Sequence, residues 1–129
     1  MDQQRQVADR YLEDAVENAP PVKLVRMLYE GAVRFLDRGV ACSPATNRAG
    51  FVQGLTRSNA IVTELRLSLV PVEDSDIGPN LDRLYDFCEE RILTALEQSQ
   101  PEPALEARKV LVTLLEAWQQ LETGTGRDS

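Results

Sequence analysis

Apolar positions recur at helical spacing through this chain, and no stretch alternates in the two-residue rhythm of a strand. The richest segment is Pro21–Cys42. On a 100° wheel Leu24, Leu28, Ala32, Phe35 and Gly39 fall on one line, and Val22, Tyr29, Val33, Leu36 and Val40 on a second beside it. Lys23, Arg26, Glu30, Arg34 and Asp37 leave only a narrow polar strip. A helix this apolar has to sit inside a bundle or beneath a covering segment.

Three similar helices follow. The spacing predicts the second from about Asn47 to Val70, with Phe51, Leu55, Ser58, Val62, Leu65 and Leu69 on a shared face. Gly54 and Ser58 are small enough there for another backbone to come close. Ala60, Ile61 and Leu67 lie off that face and point to a second contact surface. The third is predicted over Ile77–Glu97, capped by Asp74, Ser75 or Asp76, with Pro79 tolerated because it falls in the first turn. Its core line is Ile77, Leu81, Leu84, Tyr85, Cys88, Ile92 and Ala95, flanked by Asn80, Phe87 and Arg91. The fourth, about Glu102–Leu121, carries Ala104, Ala107, Leu111, Leu114, Leu115 and Trp118, widened by Leu105, Val110 and Val112.

Four helices of this length with short proline-marked connectors predict an all-α fold, an antiparallel up-down-up-down four-helix bundle. Before it, Val7, Tyr11 and Ala15 recur in a short amphipathic arm that ends at Asn18-Ala-Pro-Pro, where Pro20 and Pro21 turn the chain. Alone such a helix is marginal, so it either docks on the bundle or frays. The expected organisation is one domain: an arm over 1–19, the bundle over 20–121, and a tail over 122–129 whose Thr-Gly-Thr-Gly composition predicts disorder.

Composition narrows the function. The chain has 129 residues, 43% hydrophobic and 27% charged, with a formal net charge of −7. No basic stripe stands out, which disfavours nucleic acid as a partner. No apolar run approaches a membrane span, and the polar start lacks the apolar core of a secretory signal, so the cytosol is the expected compartment. There is no histidine, which removes histidine acid–base chemistry, Ser-His-Asp triads and histidine metal sites. Cys42 and Cys88 sit on apolar faces without a CxxC pattern and are expected as reduced, buried thiols. The glycines form no phosphate-binding loop, and the acidic residues fall on outer faces or loops. No catalytic residue, cofactor or metal site is expected.

The chemistry that remains is binding. One apolar line per helix fills a bundle core, and this chain has more than that. The surplus must be covered by the arm, by a second subunit or by a partner peptide laid in a groove. Burying one leucine-sized side chain is worth roughly 1.5–3 kcal/mol, so a few anchors on a partner helix suffice for tight binding.

Several blocks in order resemble the flagellin-specific export chaperones, the FliS family: Met27-Leu28-Tyr29-Glu30-Gly31-Ala32, the Arg57–Leu65 stretch, Asp76-Ile77-Gly78-Pro79-Asn80-Leu81, Leu84-Tyr85-Asp86-Phe87, and Leu115-Glu116-Ala117-Trp118. The resemblance spans about residues 11–118. It implies a cytosolic helical bundle that binds the disordered C-terminal segment of flagellin, blocks premature filament assembly and hands the subunit to the type III export apparatus, with a component of the export gate as a second partner. It also implies that the arm bearing Tyr11 shields part of the binding surface in the free protein. On that basis the groove is expected from helices two, three and four, lined by Ile61, Leu65, Asn80, Leu81, Leu84 and Phe87, with Tyr11 over it. Asn80 is placed to bond the incoming backbone, and Leu65, Leu81 and Leu84 are also natural core positions. Tyr29 and Tyr85 are expected to be buried with their hydroxyls paired. A monomer or weak dimer fits this account. The alternative is a non-catalytic homo-oligomeric adaptor whose surplus stripes pack on a second copy.

Overall fold

A computed structural model describes residues 21–69 and 77–128, with side chains described for 21–69 and 80–123. It contains four helices: α1 (Val22–Val40), α2 (Arg48–Leu69), α3 (Ile77–Gln98) and α4 (Glu102–Asp128). Each packs on the helices before and after it, and α1 meets α4 to close the ring. The arm expected over residues 1–19 lies outside the described residues.

The helix ends follow local chemistry. Pro21, extended and lacking an N–H, stands just before α1, and its carbonyl accepts from Leu24 N and Val25 N. The Asn47 carboxamide Oδ1 accepts from Gly50 N at 3.1 Å, capping α2. α3 begins at Ile77, so Pro79 does fall in its first turn. Ser99 follows α3 in the left-handed region, φ 55°, and turns the chain into α4.

Neighbouring helices run antiparallel, as their cross-links show. Arg26 near the start of α1 pairs with Glu122 late in α4 at 2.7 Å, while Asp37 near the end of α1 pairs with Arg108 early in α4. Arg66 on α2 reaches Asp82 at 2.6 Å, Asp86 at 3.5 Å and Glu89 at 2.7 Å, all on α3. Between α1 and α2 the backbones touch. A Cβ added at Gly54 would stand 2.5 Å from Gly39 Cα and N and 2.7 Å from the Phe35 carbonyl oxygen. One turn further along, Ser58 Oγ donates to the Ala32 carbonyl at 2.8 Å. The small residues expected to permit close approach do so.

The core is Val25, Tyr29, Ala32, Leu36 from α1; Phe51, Leu55, Val62, Leu65, Leu69 from α2; Leu81, Tyr85, Cys88, Ile92, Ala95 from α3; and Ala104, Ala107, Leu111 from α4. The α2 face is therefore the expected one. On α1 the buried line is Val25, Tyr29, Ala32, Leu36 and Gly39, which runs between the two lines read from the sequence. Leu24, assigned to the inner face, is 36% exposed, and Phe35, Val22, Val33 and Val40 flank the core. When two apolar stripes adjoin, the centre of their combined arc faces inward.

Tyr29 occupies the middle of the bundle. Its hydroxyl and that of Tyr85, on the helix diagonally opposite, hydrogen-bond each other. Its ring lies 6.5 Å from that of Tyr85 and 6.3 Å from that of Trp118. Burial pushes the Tyr29 phenol up to about 12. The expectation of paired, buried tyrosines holds. Both cysteines are free thiols, Cys88 buried and Cys42 half-buried.

At the far end the structure departs from the composition. α4 runs to Asp128 instead of stopping at Leu121. Glu122 is fixed by Arg26, and Thr123 Oγ1 donates to the Gln119 carbonyl at 3.0 Å, so the turn after Leu121 has partners that composition does not reveal.

Candidate functional site

The apolar residues left at the surface divide by position. On α3, Leu84 (36% exposed) and Phe87 (39%) follow Asn80 at i+4 and i+7, and with Arg83 and with Val110 of α4 they line a groove of about 570 Å³. The groove exists because α3 puts Leu81, Tyr85 and Cys88 inward, which turns Asn80, Leu84 and Phe87 toward the seam with α4. Its floor is aliphatic and aromatic. Its rim is polar: Arg83 Nη2 donates to Asn80 Oδ1 at 3.2 Å. With the carbonyl oxygen engaged, the Asn80 amide nitrogen has no partner among the described residues and is the group that can donate to an incoming carbonyl.

The expected groove residues do not form one surface. Asn80, Leu84 and Phe87 come together. Leu65 and Leu81, 0% and 8% exposed, belong to the core and do not line the groove. Ile61 packs against α1, its Cδ1 3.4 Å from where a Gly31 Cβ would stand. That seam, α1 with α2, is across the ring from the seam of α3 with α4. Tyr11 lies outside the described residues. Arg83 and Val110 were not among the expected lining residues. Arg83 follows Asn80 by three positions and precedes Phe87 by four, a spacing that carries a usable signal.

Other exposed apolar side chains are Leu24 and Met27 on α1, Leu67 on α2, Leu93 on α3, and Leu105 and Leu121 on α4. None of them lines the α3–α4 groove. No helix among the described residues is long and apolar enough to cross a membrane.

Comparison with known proteins places this arrangement. The family model described as flagellar protein FliS matches residues 3–125. Among curated proteins, the chain is 32% identical over 119 residues to the flagellar secretion chaperone FliS of Salmonella typhimurium, covering 85% of this chain and 82% of that protein. It is 29% identical over 110 residues to the protein of the same name from Vibrio cholerae, covering 85% and 81%. The counterpart in Escherichia coli K12 is 27% identical over 110 residues, with 84% and 81% covered. With nearly the whole length matched, and with the paired tyrosines and the α3 groove both built from the blocks that carried the resemblance, the chain belongs to the FliS family of flagellar proteins.

Proposed function

We propose that this chain is an export chaperone for flagellin, which it captures by the disordered C-terminal region in the cytosol, preventing premature polymerisation and carrying the subunit to the export apparatus. It acts by capture, not catalysis. The observation that carries the reading is the half-exposed Asn80–Leu84–Phe87 line beside Val110, an apolar floor with a polar rim in a chain whose relatives are named secretion chaperones. A client helix lays its apolar face on Leu84 and Phe87, and Asn80 Nδ2 bonds a client carbonyl at the helix end. The arm around Tyr11 competes for this surface in the free protein.

The test is Phe87→Asp. Capture of a flagellin C-terminal peptide should fall by at least about tenfold, or roughly 1.4 kcal/mol, with helical content and melting unchanged. Removal of residues 1–17 should leave a folded bundle with altered affinity for the same peptide. Light scattering separates the competing adaptor: a stable dimer indifferent to the peptide would overturn the proposal.

A further inference from the structure

The arginines of the described residues divide by their partners, and Arg48 and Arg83 meet only the neutral side chains of Ser99 and Asn80. Arg26, Arg66, Arg91 and Arg108 each meet at least one carboxylate. Arg34, Arg38 and Arg57 meet none among the described residues, and all three gather on one ring. Their guanidinium carbons stand 5.8, 5.7 and 5.5 Å from the Phe35 centroid. Three positive groups are thus held within about a Debye length (~10 Å) of one another. The chain has 21 acidic residues against 14 basic ones, so carboxylates are plentiful, yet none among the described residues pairs with these three. Attraction to the ring is worth roughly 0.5–1 kcal/mol per cation at an exposed site. It steadies each side chain and leaves the planar fork of N–H donors open to an anion.

The ground beside them is shaped. A cleft of about 210 Å³ opens at the α1–α2 crossing between Phe35, Arg38, Gln53, Gly54 and Arg57. It exists because the Gly39–Gly54 contact admits no side chain there. A shallow groove of about 530 Å³ continues from it along α2 past Val52, Gln53, Thr56 and Arg57. The face therefore joins a carboxylate-sized positive cleft to an apolar strip.

We infer that this face is a second binding site, for an acidic peptide segment of a partner protein that presents closely spaced carboxylates beside an apolar side chain. The carboxylates sit between Arg38, Arg57 and Arg34, and the apolar neighbour lies on Val52. A nucleic acid is the weaker occupant, because a chain of net charge −7 repels a long polyanion over distance, whereas a short acidic segment meets chiefly the local cluster. The site lies at the α1–α2 seam, across the ring from the α3–α4 groove, so both can be filled at once.

The experiment uses the full chain and a short fluorescein-labelled peptide alternating glutamate and leucine, read by fluorescence anisotropy. The glutamate peptide should bind and weaken as salt rises, and its glutamine counterpart should bind at least about tenfold more weakly. Arg38→Glu with Arg57→Glu should abolish binding, Arg38→Gln with Arg57→Gln should weaken it, and Lys109→Glu on α4 should leave it unchanged. Melting should be the same for all, and capture of the flagellin peptide should persist in the arginine variants, which separates this site from the α3–α4 groove. Equal binding of the glutamine peptide would overturn the inference. So would binding that survives in both arginine pairs, tighter binding of a labelled single-stranded oligonucleotide, or an arginine-dependent dimer in place of a peptide complex.

Discussion

Tyr29 and Tyr85 share a hydrogen bond between their hydroxyls across the diagonal of the bundle, with the Trp118 ring 6.3 Å from that of Tyr29. The pair ties α1 to α3, two helices that are not neighbours in the ring. Tyr29→Phe removes the hydroxyl that pairs with Tyr85 at a fully buried point, so it should cost about 1–3 kcal/mol. The double change to phenylalanine should cost less than the sum of the two single changes, because it leaves no buried hydroxyl behind. Urea unfolding of the three variants measures this, and strict additivity would contradict the pairing.

The same burial sets the alkaline limit of the fold. The Cys88 thiol is pushed up from 9.0 to about 12 by burial and by the Glu89 charge, and the Tyr29 phenol from 10.0 to about 12 by burial. In both, the folded state holds its proton more tightly. Stability is therefore full below pH 9 and falls as the pH climbs toward 12, because the unfolded chain loses these protons first. The loss by pH 11 should be on the order of 3 kcal/mol. Urea midpoints across that range measure it. A thiol reagent at neutral pH should label half-buried Cys42 in the native protein and reach Cys88 only on unfolding.

Two glycines of α1 and α2 look alike in sequence and should respond in opposite ways. At Gly54 an added methyl meets the Gly39 backbone at 2.5 Å and the Phe35 carbonyl at 2.7 Å, groups that move only if the helices separate. Gly54→Ala should destabilise by about 1–3 kcal/mol despite its better helix propensity. At Gly31 the nearest atom is the end of the Ile61 side chain at 3.4 Å, ordinary contact. Gly31→Ala should be neutral or stabilising by up to about 1 kcal/mol. Thermal melts of the two variants decide.

These contrasts show what the sequence could and could not carry. The α2 face from Phe51 to Leu69 was legible because one apolar stripe stood alone. On α1 the doubled stripe hid Val25, which lies at the middle of the arc and belongs to neither line read from the wheel. The spacing of Asn80, Leu84 and Phe87 gave half of the groove. Val110 completes it from another helix, and a wheel cannot say which helices will adjoin. Ile61 has the same apolar character but was carried to the opposite seam by the order of helices around the ring. Past Leu121 the Thr-Gly pattern argued for a tail, while the Arg26–Glu122 pair, distant in sequence, extends the helix.

The division between groove floor and core is open to measurement. Leu65→Ala empties a site of 0% exposure and should cost about 2–5 kcal/mol. Leu84→Ala trims a side chain already 36% exposed and should cost under about 1.5 kcal/mol while weakening client capture. If the two variants melt alike, Leu84 is part of the interior and the groove has no apolar floor.

Glu64 is the unusual charge of the bundle. It sits on α2 at 8% exposure, with no hydrogen-bond or ion-pair partner among the described residues, and desolvation raises its carboxyl pKa. A raised carboxylate favours the fold while protonated, so this contribution is present at acid pH and is lost as the pH rises through the folded value. At neutral pH the ionised group is a net cost. Glu64→Gln keeps the shape and removes the charge, so it should raise the urea midpoint at pH 7, with the gain shrinking to nothing as the pH falls below the ordinary carboxylate range. A gain that persists at low pH would mean that the amide makes new contacts. A loss at pH 7 would mean that the ionised carboxylate is itself stabilising.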